Sequence, residues 1–404
     1  MLPYLRQMIA ERIKTLASAF AADTISIRHH LHAHPELSYQ EYDTSAFVKK
    51  QLDAIGISHI SMAGTGVVGS IEGTDPGSRI VALRADLDAL PIQEENDIPY
   101  RSLKDGIMHA CGHDVHTSCL LGAARILQET KNDWKGTVKL IFQPGEERNP
   151  GGASIMIREG VLENPAPELI VGMHVNPQLE KGKLSFRGGK VMASADEIYI
   201  TIKGKGGHAA SPHQTTDTIL VASHIVVALQ QVVSRNSNPF SPSVLSICAF
   251  NGGFTTNVIP NEVKLMGTFR TMDETWRFRA HELIIQQASS IAQGMGAGID
   301  VKIDVGYPNV YNNEALNEIA KKQASTFFGN QNVEETELRM GAEDFGYYSQ
   351  KIPGCFFRLG TRNSNKGIIS GVHTPTFNVD EESIEIGMSA MAWLGATLSV
   401  KAAP

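Results

Sequence analysis

The sequence has few cysteines and no long uninterrupted apolar segment. Four cysteines stand among 404 residues, which is too few and too scattered for a disulfide framework. No apolar run reaches the ~18–20 residues that a membrane span needs. Near the N-terminus, charges break the apolar core that a signal peptide would require, at Arg6, Glu11, Arg12 and Lys14. We therefore expect free thiols in a reducing compartment and a cytoplasmic protein.

Basic charge is also scarce. Lys and Arg total 36 against 43 Asp and Glu, and the formal net charge is -7 at pH 7. A protein that binds the phosphate backbone of nucleic acid needs a basic surface, and no block of Lys or Arg occurs here. We therefore expect neither nucleic acid nor a membrane as a partner, and a small molecule as the ligand.

The chain is long enough for about two to three domains. Up to about residue 185, helical patterns alternate with short apolar strands, which is typical of an α/β fold with a mainly parallel sheet flanked by helices. From about 195 to 304 the order is β-α-β-β-α-β, the ferredoxin-like arrangement. The first pattern then resumes. We expect a catalytic metal-binding domain at 1–192 plus 305–404, interrupted by a ferredoxin-like α+β lid at 193–304.

Three apolar segments each run into acidic residues or a histidine. They are residues 80–85 followed by Asp86 and Asp88, residues 137–142 followed by Glu146 and Glu147, and residues 169–173 followed by His174. In open α/β sheets, ligands bind outside the carboxyl ends of the strands. These side chains are therefore expected at one edge of the sheet.

A cysteine and three histidines stand together in HACGHDVH, residues 109–116, where a helical pattern begins. Cys111 and His113 are two residues apart, so an extended backbone directs both side chains to one side. Thiolate and imidazole suit zinc, nickel, cobalt or manganese better than magnesium or calcium. Asp114 could cap the helix with the histidines incidental. We favour a metal site because a cap alone does not require four such residues.

The paired acids Glu146 and Glu147 can divide two tasks beside a metal. One can coordinate, while the other accepts a proton from a water molecule that the ion acidifies. Elsewhere such a pair is usually a solvated face, but here it follows an apolar strand and faces other candidate ligands. His174 could be a ligand or a satisfied core histidine, and His373 a ligand or a surface loop residue. Asp86 and Asp88 could orient a ligand histidine or cap a turn.

Taken together, these residues resemble the di-metal amidohydrolase/carboxypeptidase family of hippurate hydrolases, indoleacetyl-amino acid hydrolases and N-acyl-amino acid amidohydrolases. The resemblance spans nearly the whole chain, in the family's order. Its strings are HPELS at 34–38, LRADLDALP at 83–91, HACGHD at 109–114, QPGEE at 143–147, GMH at 172–174, GGHAASPH at 206–213, NVIP at 257–260, EDF at 343–345 and HTP at 373–375.

The resemblance implies two divalent metal ions per subunit (Zn, Mn, Co or Ni). The family's ligands fall on Cys111, His113, Glu147, His174 and His373, with Cys111 as the implied bridge. Glu146 matches the general base. Other branches end the first strand with His-x-Asp; here Arg84 replaces that histidine, and Asp86 remains as a candidate orienting carboxylate.

The resemblance also assigns roles in the lid, which commonly pairs two subunits, so we expect a homodimer or higher homo-oligomer. His208 resembles a histidine that reaches a partner's active site and stabilises the oxyanion. Asn257 and Arg270 resemble groups that hold the substrate's α-carboxylate, a task that suits an Arg fork. For Arg270 a solvated strand end is the alternative.

The implied reaction is metal-dependent hydrolysis of the amide bond in N-acyl amino acids, such as hippurate or N-acetyl-amino acids. A dipeptidase or carboxypeptidase, or an N-acetyl-diaminopimelate deacetylase, uses the same chemistry and stays open. A metal-dependent binding protein without catalysis is disfavoured because Glu146 is present. A dinucleotide-binding enzyme is excluded, since GTGVVG at 64–69 lacks an acidic residue at the end of a second strand ~20 residues on.

Overall fold

The computed structural model describes residues 3–399. The helices are α1 (Pro3–Ala33), α2 (Tyr42–Ala54), α3 (His113–Glu129), α4 (Gly152–Arg158), α5 (Thr218–Gln231), α6 (Glu274–Gly294), α7 (Glu314–Phe328), α8 (Phe345–Ser349) and α9 (Glu382–Leu398). The strands are β1 (His59–Met62), β2 (Gly66–Glu72), β3 (Ile80–Asp86), β4 (Thr137–Gln143), β5 (Leu169–Glu180), β6 (Leu184–Phe186), β7 (Gly189–Met192), β8 (Asp196–Lys203), β9 (Gly207–His208), β10 (Ser243–Asn251), β11 (Val258–Ile259), β12 (Glu262–Thr271), β13 (Gly298–Val305), β14 (Val310–Asn312), β15 (Val333–Glu335) and β16 (Gly354–Arg362).

Internal contacts divide the chain into two compact units. The first comprises the chain up to Gly189, Tyr311–Glu337 and the chain from Asp344 on, and the second comprises Lys190–Val310 and Leu338–Glu343. The short piece at 338–343 groups with the second unit, although the sequence assigned it to the catalytic domain. The reason is its backbone pairing with residues 191–193, since Arg339 donates its N–H to Val191 O at 3.1 Å and accepts from the N–H of Ala193 at 3.1 Å. The role of the inserted unit as a lid stays a prediction.

The large sheet of the first unit is mixed, with a parallel centre. Among the described residues its order is β1-β2-β4-β3-β5-β16-β6-β15. Strands β4, β3, β5 and β16 run parallel, whereas β1–β2, β2–β4 and β16–β6 are antiparallel. Strands β6 and β15 also pair in parallel. The expected α/β class, a mainly parallel sheet with flanking helices, is confirmed, and the antiparallel pairs involve β1, β2 and β6. Residues 63–65 alone join β1 to β2, and so short a connection permits only an antiparallel pair.

The core of the first unit lies between this sheet and helices α3 and α9, with α1 packed on both of these helices. Every residue of β4 is buried, as expected for a strand covered on both faces. Helix α3 lies against both α1 and α9 and buries Val115, Cys119 and Leu120, among others. Full burial of one such aliphatic side chain stabilises the fold by about 1.5–3 kcal/mol. This packing fixes the start of α3 beside the sheet edge.

The second unit has the expected β-α-β-β-α-β order. Strands β10, β12, β8 and β13 form an antiparallel sheet in that order, and α5 and α6 share a core with it. Strand β8 alternates buried and more exposed residues, with Ile198, Ile200 and Ile202 inward. Asp217 and Asp273 cap the two helices by accepting the N–H groups of the third residue on.

One helical segment in the described part of the chain, Thr218–Asn236, is long and apolar enough to cross a membrane by length and composition alone. The segment is not an uninterrupted apolar run, because polar residues such as His224 and Gln230 lie within it, and the sequence therefore did not predict it. Val221, Ile225 and Leu229 of this helix belong to the core of the second unit. The apolar composition of this segment is therefore also that of a core helix that packs on a sheet.

Candidate metal centre

The candidate ligands meet at the carboxyl edge of the parallel strands. Asp86 ends β3, the loop after β4 carries Glu146 and Glu147, and His174 lies in β5. Strands β4, β3 and β5 are neighbours that run parallel, so their carboxyl ends share one edge. The sequence ended the third strand at residue 173, but β5 continues to Glu180, so His174 is held by regular strand pairing.

A tight turn brings Cys111 and His113 to this edge. Gly112 has φ 88°, in the left-handed region that favours glycine, and directly precedes α3. A Cβ atom at this position would lie 2.6 Å from Cγ2 of Val175, so only glycine fits without displacement. The turn places the Cys111 Sγ atom 3.4 Å from Nε2 of His174.

The five residues expected to bind metal fall into overlapping groups whose donor atoms lie within 4.8 Å of one another. The groups are Cys111 with His113 and His174, Cys111 with Glu147 and His373, and His113 with Glu146 and Glu147. Cys111 belongs to the first two groups, which is the position a bridging ligand needs. The sulfur, imidazole and carboxylate donors are those that zinc and similar transition ions accept.

Two buried polar atoms in this cluster have no hydrogen bond. They are Nε2 of His113 and Oε1 of Glu147, and the latter faces Nε2 of His373 at 3.2 Å as an ion pair. His113 uses its other ring nitrogen, Nδ1, on the backbone oxygen of Asp88 at 2.8 Å, and His174 uses Nδ1 on the backbone oxygen of Val175 at 2.8 Å. In each ring the bonded nitrogen carries the hydrogen, so the lone pair of Nε2 is available to a metal. The donor set therefore fits divalent ions.

The electrostatics of the cluster favour a cation. Burial by itself lowers the pKa of His113, but the carboxylates of Asp86 and Asp88 overcome it and raise the pKa to about 10. Burial, followed by the charges of Glu147 and Glu146, raises the pKa of the Cys111 thiol well above its ordinary value. The negative charges that contribute to both raised pKa values also attract a divalent ion, whose binding would release the protons of His113 and Cys111.

The carboxylate of Asp88 accepts hydrogen bonds from several parts of the centre. Its Oδ1 accepts the backbone N–H of Glu146 at 3.0 Å, and its Oδ2 accepts that of Glu147 at 2.9 Å. The hydroxyl of Ser38 donates to Oδ2 at 2.6 Å, and His113 Nδ1 lies 3.2 Å from Oδ1. One buried carboxylate thus links the Cys-Gly-His turn to the loop with the paired acids.

Asp86 forms a hydrogen bond with His116, which is not one of the expected metal ligands, rather than with His113. Its Oδ1 lies 2.6 Å from Nδ1 of His116, whereas the carboxylate that bonds the Nδ1 atom of His113 is Asp88. Nε2 of His116 accepts the backbone N–H of Val175 at 2.9 Å. Both ring nitrogens of His116 are therefore engaged by protein, and this histidine is not a ligand candidate.

His373 lies on a constrained loop. Its backbone has φ 61°, which non-glycine residues seldom adopt, and its N–H donates to Ala110 O at 2.7 Å. The Nε2 atom lies 3.2 Å from Oε1 of Glu147, and 51% of the side chain is exposed. This loop therefore joins the cluster from its solvent side.

The remaining expected site residues belong to the second unit. His208 is exposed in β9, and its Nδ1 accepts the N–H of Ala210 at 3.1 Å, so Nε2 carries the hydrogen. Asn257 is exposed, and its backbone oxygen accepts the N–H of Ala209 at 3.0 Å. Arg270 is half-buried in β12, where burial lowers its pKa. His208 and Asn257 thus share one short antiparallel ribbon, and their relation to the metal ligands stays a prediction.

A buried polar cluster next to the paired acids was missed by the sequence analysis. Arg84 donates to Asp86 Oδ2 at 2.7 Å, to Asp344 Oδ1 at 2.7 Å and to Gln143 Oε1 at 2.9 Å. It fixes Asp86 and joins β3 to the end of β4 and to the residue before α8. The signal was present, because an arginine inside an apolar strand pattern requires a buried acidic partner.

Comparison with known proteins agrees with this geometry. The sequence model of peptidase family M20/M25/M40 matches residues 82–394. Thermostable carboxypeptidase 1 of Saccharolobus solfataricus is 39% identical over 398 residues, which cover 97% of this chain and 100% of that protein. The N-acyl-L-amino acid amidohydrolase of Geobacillus stearothermophilus is 43% identical over 306 residues, covering 76% and 82%. The crystal structure of Bacillus subtilis YXEP, described as a dinuclear metal-binding peptidase of the M20 family, is 35% identical, with a TM-score of 0.82 over 94% of this chain and 99% of that one.

Proposed function

Since this chain belongs to peptidase family M20/M25/M40 and is a hydrolase of amide bonds, we propose that it cleaves N-acyl amino acids to a carboxylic acid and a free amino acid. Hippurate, N-acetyl-amino acids and similar conjugates are the substrates in question. The amidohydrolase at 43% identity, named for that substrate class, supports the choice.

The observation that carries this proposal is the convergence of metal-binding side chains beside a buried glutamate. We assign as ligands the overlapping set Cys111, His113, Glu147, His174 and His373. Two divalent ions per subunit, of Zn, Mn, Co or Ni, suit these donors. Such ions would polarise the amide carbonyl and make a water molecule easier to deprotonate.

Glu146 is the proposed general base. Its carboxylate is buried, and the contact of its N–H with Asp88 fixes its backbone. One Oε atom lies 3.9 Å from Nε2 of His113, within the cluster and beyond direct hydrogen bonding to that ring. It takes the proton of the attacking water and passes it to the departing nitrogen, so the amino acid leaves with a neutral amine.

Substrate contacts are proposed for the second unit. His208 presents an exposed N–H at Nε2, a donor suited to the oxyanion that forms on the amide oxygen. Asn257 and Arg270 would hold the α-carboxylate of the amino acid portion. Arg270 Nε donates to Thr268 Oγ1 at 3.1 Å, which fixes the plane of its guanidinium.

We further propose that two copies associate through the second unit. Leu220 and Val227 of α5 are 49% and 73% exposed, although the helix is strongly apolar. Among the described residues β10 ends the four-stranded sheet, and its Val244 and Phe250 are also exposed. An apolar helix beside an unpaired strand edge is the surface that a second copy would cover.

The compartment is proposed to be the cytoplasm. All four cysteines are free thiols, and Cys111, Cys119 and Cys355 are buried. A reducing environment keeps such thiols unoxidised, and Cys111 must be a thiol or thiolate to act as a ligand.

The test compares Glu146→Gln with His174→Ala. Glutamine is nearly the same size but cannot take a proton, so we expect full metal content and a kcat lower by about 10²–10⁴-fold. His174→Ala should instead lose metal, measured by elemental analysis of the purified protein. Glu72→Gln, at an exposed position of β2, is the control. A Glu146→Gln enzyme with the rate of the control would overturn the assignment.

A peptidase is the second candidate, because the carboxypeptidase of Saccharolobus solfataricus is 39% identical. The two activities differ in the group on the acyl side of the bond. A panel of hippurate, N-acetyl-amino acids and dipeptides, assayed with added manganese, cobalt or zinc, separates them by kcat/KM. Higher values for dipeptides than for every N-acyl amino acid would replace the first proposal with the second.

A further inference from the structure

Residues 39–41 form one short segment that contacts both ends of the loop that carries Glu146 and Glu147. We call residues 145–151 the acid loop. The N–H of Gly152 donates to Gly145 O at 2.9 Å and closes the base of this loop. Asp88 holds the two glutamates at their N–H groups, but it does not reach the ends of the loop. Those ends are contacted by Tyr39 and Glu41.

Glu41 fixes the first end of the acid loop. Its side chain is buried, and Oε1 accepts the N–H of Gly145 at 2.8 Å and that of Tyr39 at 2.9 Å. Oε2 accepts the hydroxyl of Thr65 at 2.6 Å. Glu41 is also the residue before α2, yet its carboxylate does not cap that helix. An acidic side chain that could stabilise its own helix therefore contacts the acid loop instead.

Tyr39 fixes the other end. Its hydroxyl donates to Arg148 O at 2.6 Å and accepts the N–H of Gly151 at 3.0 Å. The ring lies against Gly145, where any Cβ atom would collide with it. Tyr39 itself has φ 66°, an unfavourable conformation for a tyrosine. The strained backbone directs the ring along the loop, so one side chain touches both of its ends.

We propose that Tyr39 and Glu41, together the clamp, are positioning residues. They set the position of the base Glu146 and of the ligand Glu147 relative to the other metal ligands. This inference rests on the proposed roles of those two glutamates. The clamp contacts backbone atoms on either side of them, at Gly145, Arg148 and Gly151. A displacement of about 1 Å in a reacting group can cost about 10²-fold in rate, so an enzyme whose acid loop has lost the clamp should turn over slowly.

Tyr39→Phe tests the clamp with the smallest change. It removes the hydroxyl's bonds to Arg148 O and to the N–H of Gly151, which leaves the direct bond of that N–H to Arg148 O at 3.0 Å, and it keeps the ring beside Gly145. We expect kcat to fall about 10-fold or more, with KM within about twofold because substrate contacts are untouched. Metal should stay bound because Asp88 keeps its bonds to the N–H groups of both glutamates. Tyr311→Phe is the matched control, since its hydroxyl contacts only a surface glutamate, Glu314, at 3.3 Å.

Glu41 supplies the rescue experiment. Glu41→Gln keeps a carbonyl oxygen that can accept from Gly145 and Tyr39, and the Thr65 hydroxyl can reverse to accept from the new amide. Glu41→Met has a similar size and accepts nothing. We expect Gln to retain most of kcat and Met to lose it. Where Met fails to fold, the comparison of Tyr39→Phe with Tyr311→Phe carries the test.

The outcomes separate this inference from the proposed function. If Glu146→Gln is as active as the wild type, the general base is misassigned and the proposed function fails first. If Glu146→Gln is inactive while Tyr39→Phe keeps the kcat of Tyr311→Phe, the clamp is wrong and the proposed function stands. A Tyr39→Phe enzyme that loses kcat only in proportion to lost metal or lost folded protein also overturns the clamp, because it would then be general structural support.

Discussion

Asp88 is the carboxylate on which the geometry of the centre depends most directly, and Asp88→Asn perturbs it without changing its size. Oδ1 faces two donors, the N–H of Glu146 at 3.0 Å and the ring of His113 at 3.2 Å. Oδ2 faces the N–H of Glu147 at 2.9 Å and the hydroxyl of Ser38 at 2.6 Å. An asparagine keeps an acceptor at only one of these two positions.

The less costly orientation of the substituted asparagine places its oxygen at the Oδ1 position. The amide nitrogen can then donate to Ser38, whose hydroxyl can reverse, but it meets the N–H of Glu147 donor to donor. One buried donor without an acceptor costs about 1–3 kcal/mol. His113 keeps its bond to the backbone oxygen of residue 88, at 2.8 Å in the wild type, so the loss falls on Glu147. Groups that orient ligands typically contribute about 10–100-fold to metal affinity, and we expect a loss in that range.

Two measurements check this prediction. Denaturant unfolding of the metal-free protein gives the loss of stability, and competition with a chromophoric chelator gives the metal affinity. Ser38→Ala is the control, because it removes one donor to Oδ2 and leaves both glutamate N–H groups paired. The reasoning is refuted if Asp88→Asn keeps wild-type affinity, or if Ser38→Ala weakens binding equally.

Three further outcomes follow from other parts of the structure. Gly112→Ala should lower the free energy of unfolding by more than about 1 kcal/mol and should also lower the metal affinity. The reason is that φ is 88° and the new Cβ atom collides with Val175. Denaturant unfolding and metal titration measure the two losses. Burial by itself raises the pKa of Asp196, but hydrogen bonds from His281 and Arg277 lower it overall. The ionised carboxylate therefore stabilises the fold above the ordinary pKa of about 3.9, and this stabilisation is lost as the pH falls through the lower pKa of the folded state. Melting temperatures of the wild type and Asp196→Asn should therefore converge towards acid pH, and parallel curves would contradict this. Val227→Lys should shift the proposed dimer to monomer in sedimentation without changing the fold, and an unchanged sedimentation coefficient would remove α5 from the interface.

The parts of the centre that could be predicted from sequence share one physical cause. A parallel strand has a fixed direction, so residues that follow three apolar strands must meet at one edge. That rule predicts from the sequence alone that His174 and the paired acids come together. The extended backbone expected from Cys111 to His113 is not found: Gly112 has φ 88°, the left-handed conformation that glycine favours, and a turn brings both side chains to the edge.

Other features depend on long-range contacts that no local pattern encodes. The antiparallel pairing of β6 with β16 depends on which strands lie at the sheet's margins. Likewise residues 338–343 join the second unit through backbone bonds to residues more than 140 positions away. The sequence could not decide between Asp86 and Asp88 as the partner of His113, because side chains two positions apart in extended backbone share a face.

The two histidines of the Cys-His motif show which property separates a ligand from a structural residue. His113 and His116 are both buried, and each directs Nδ1 to an aspartate at the end of β3. Spacing and burial therefore do not distinguish them. The difference lies at Nε2, which in His116 accepts the N–H of Val175 at 2.9 Å and in His113 has no partner. The N–H of Val175 in β5 occupies the Nε2 lone pair of His116, whereas the Nε2 lone pair of His113 stays available. The register of β5 therefore decides which ring can bind metal. That register comes from the pairing of β5 with β3 and β16.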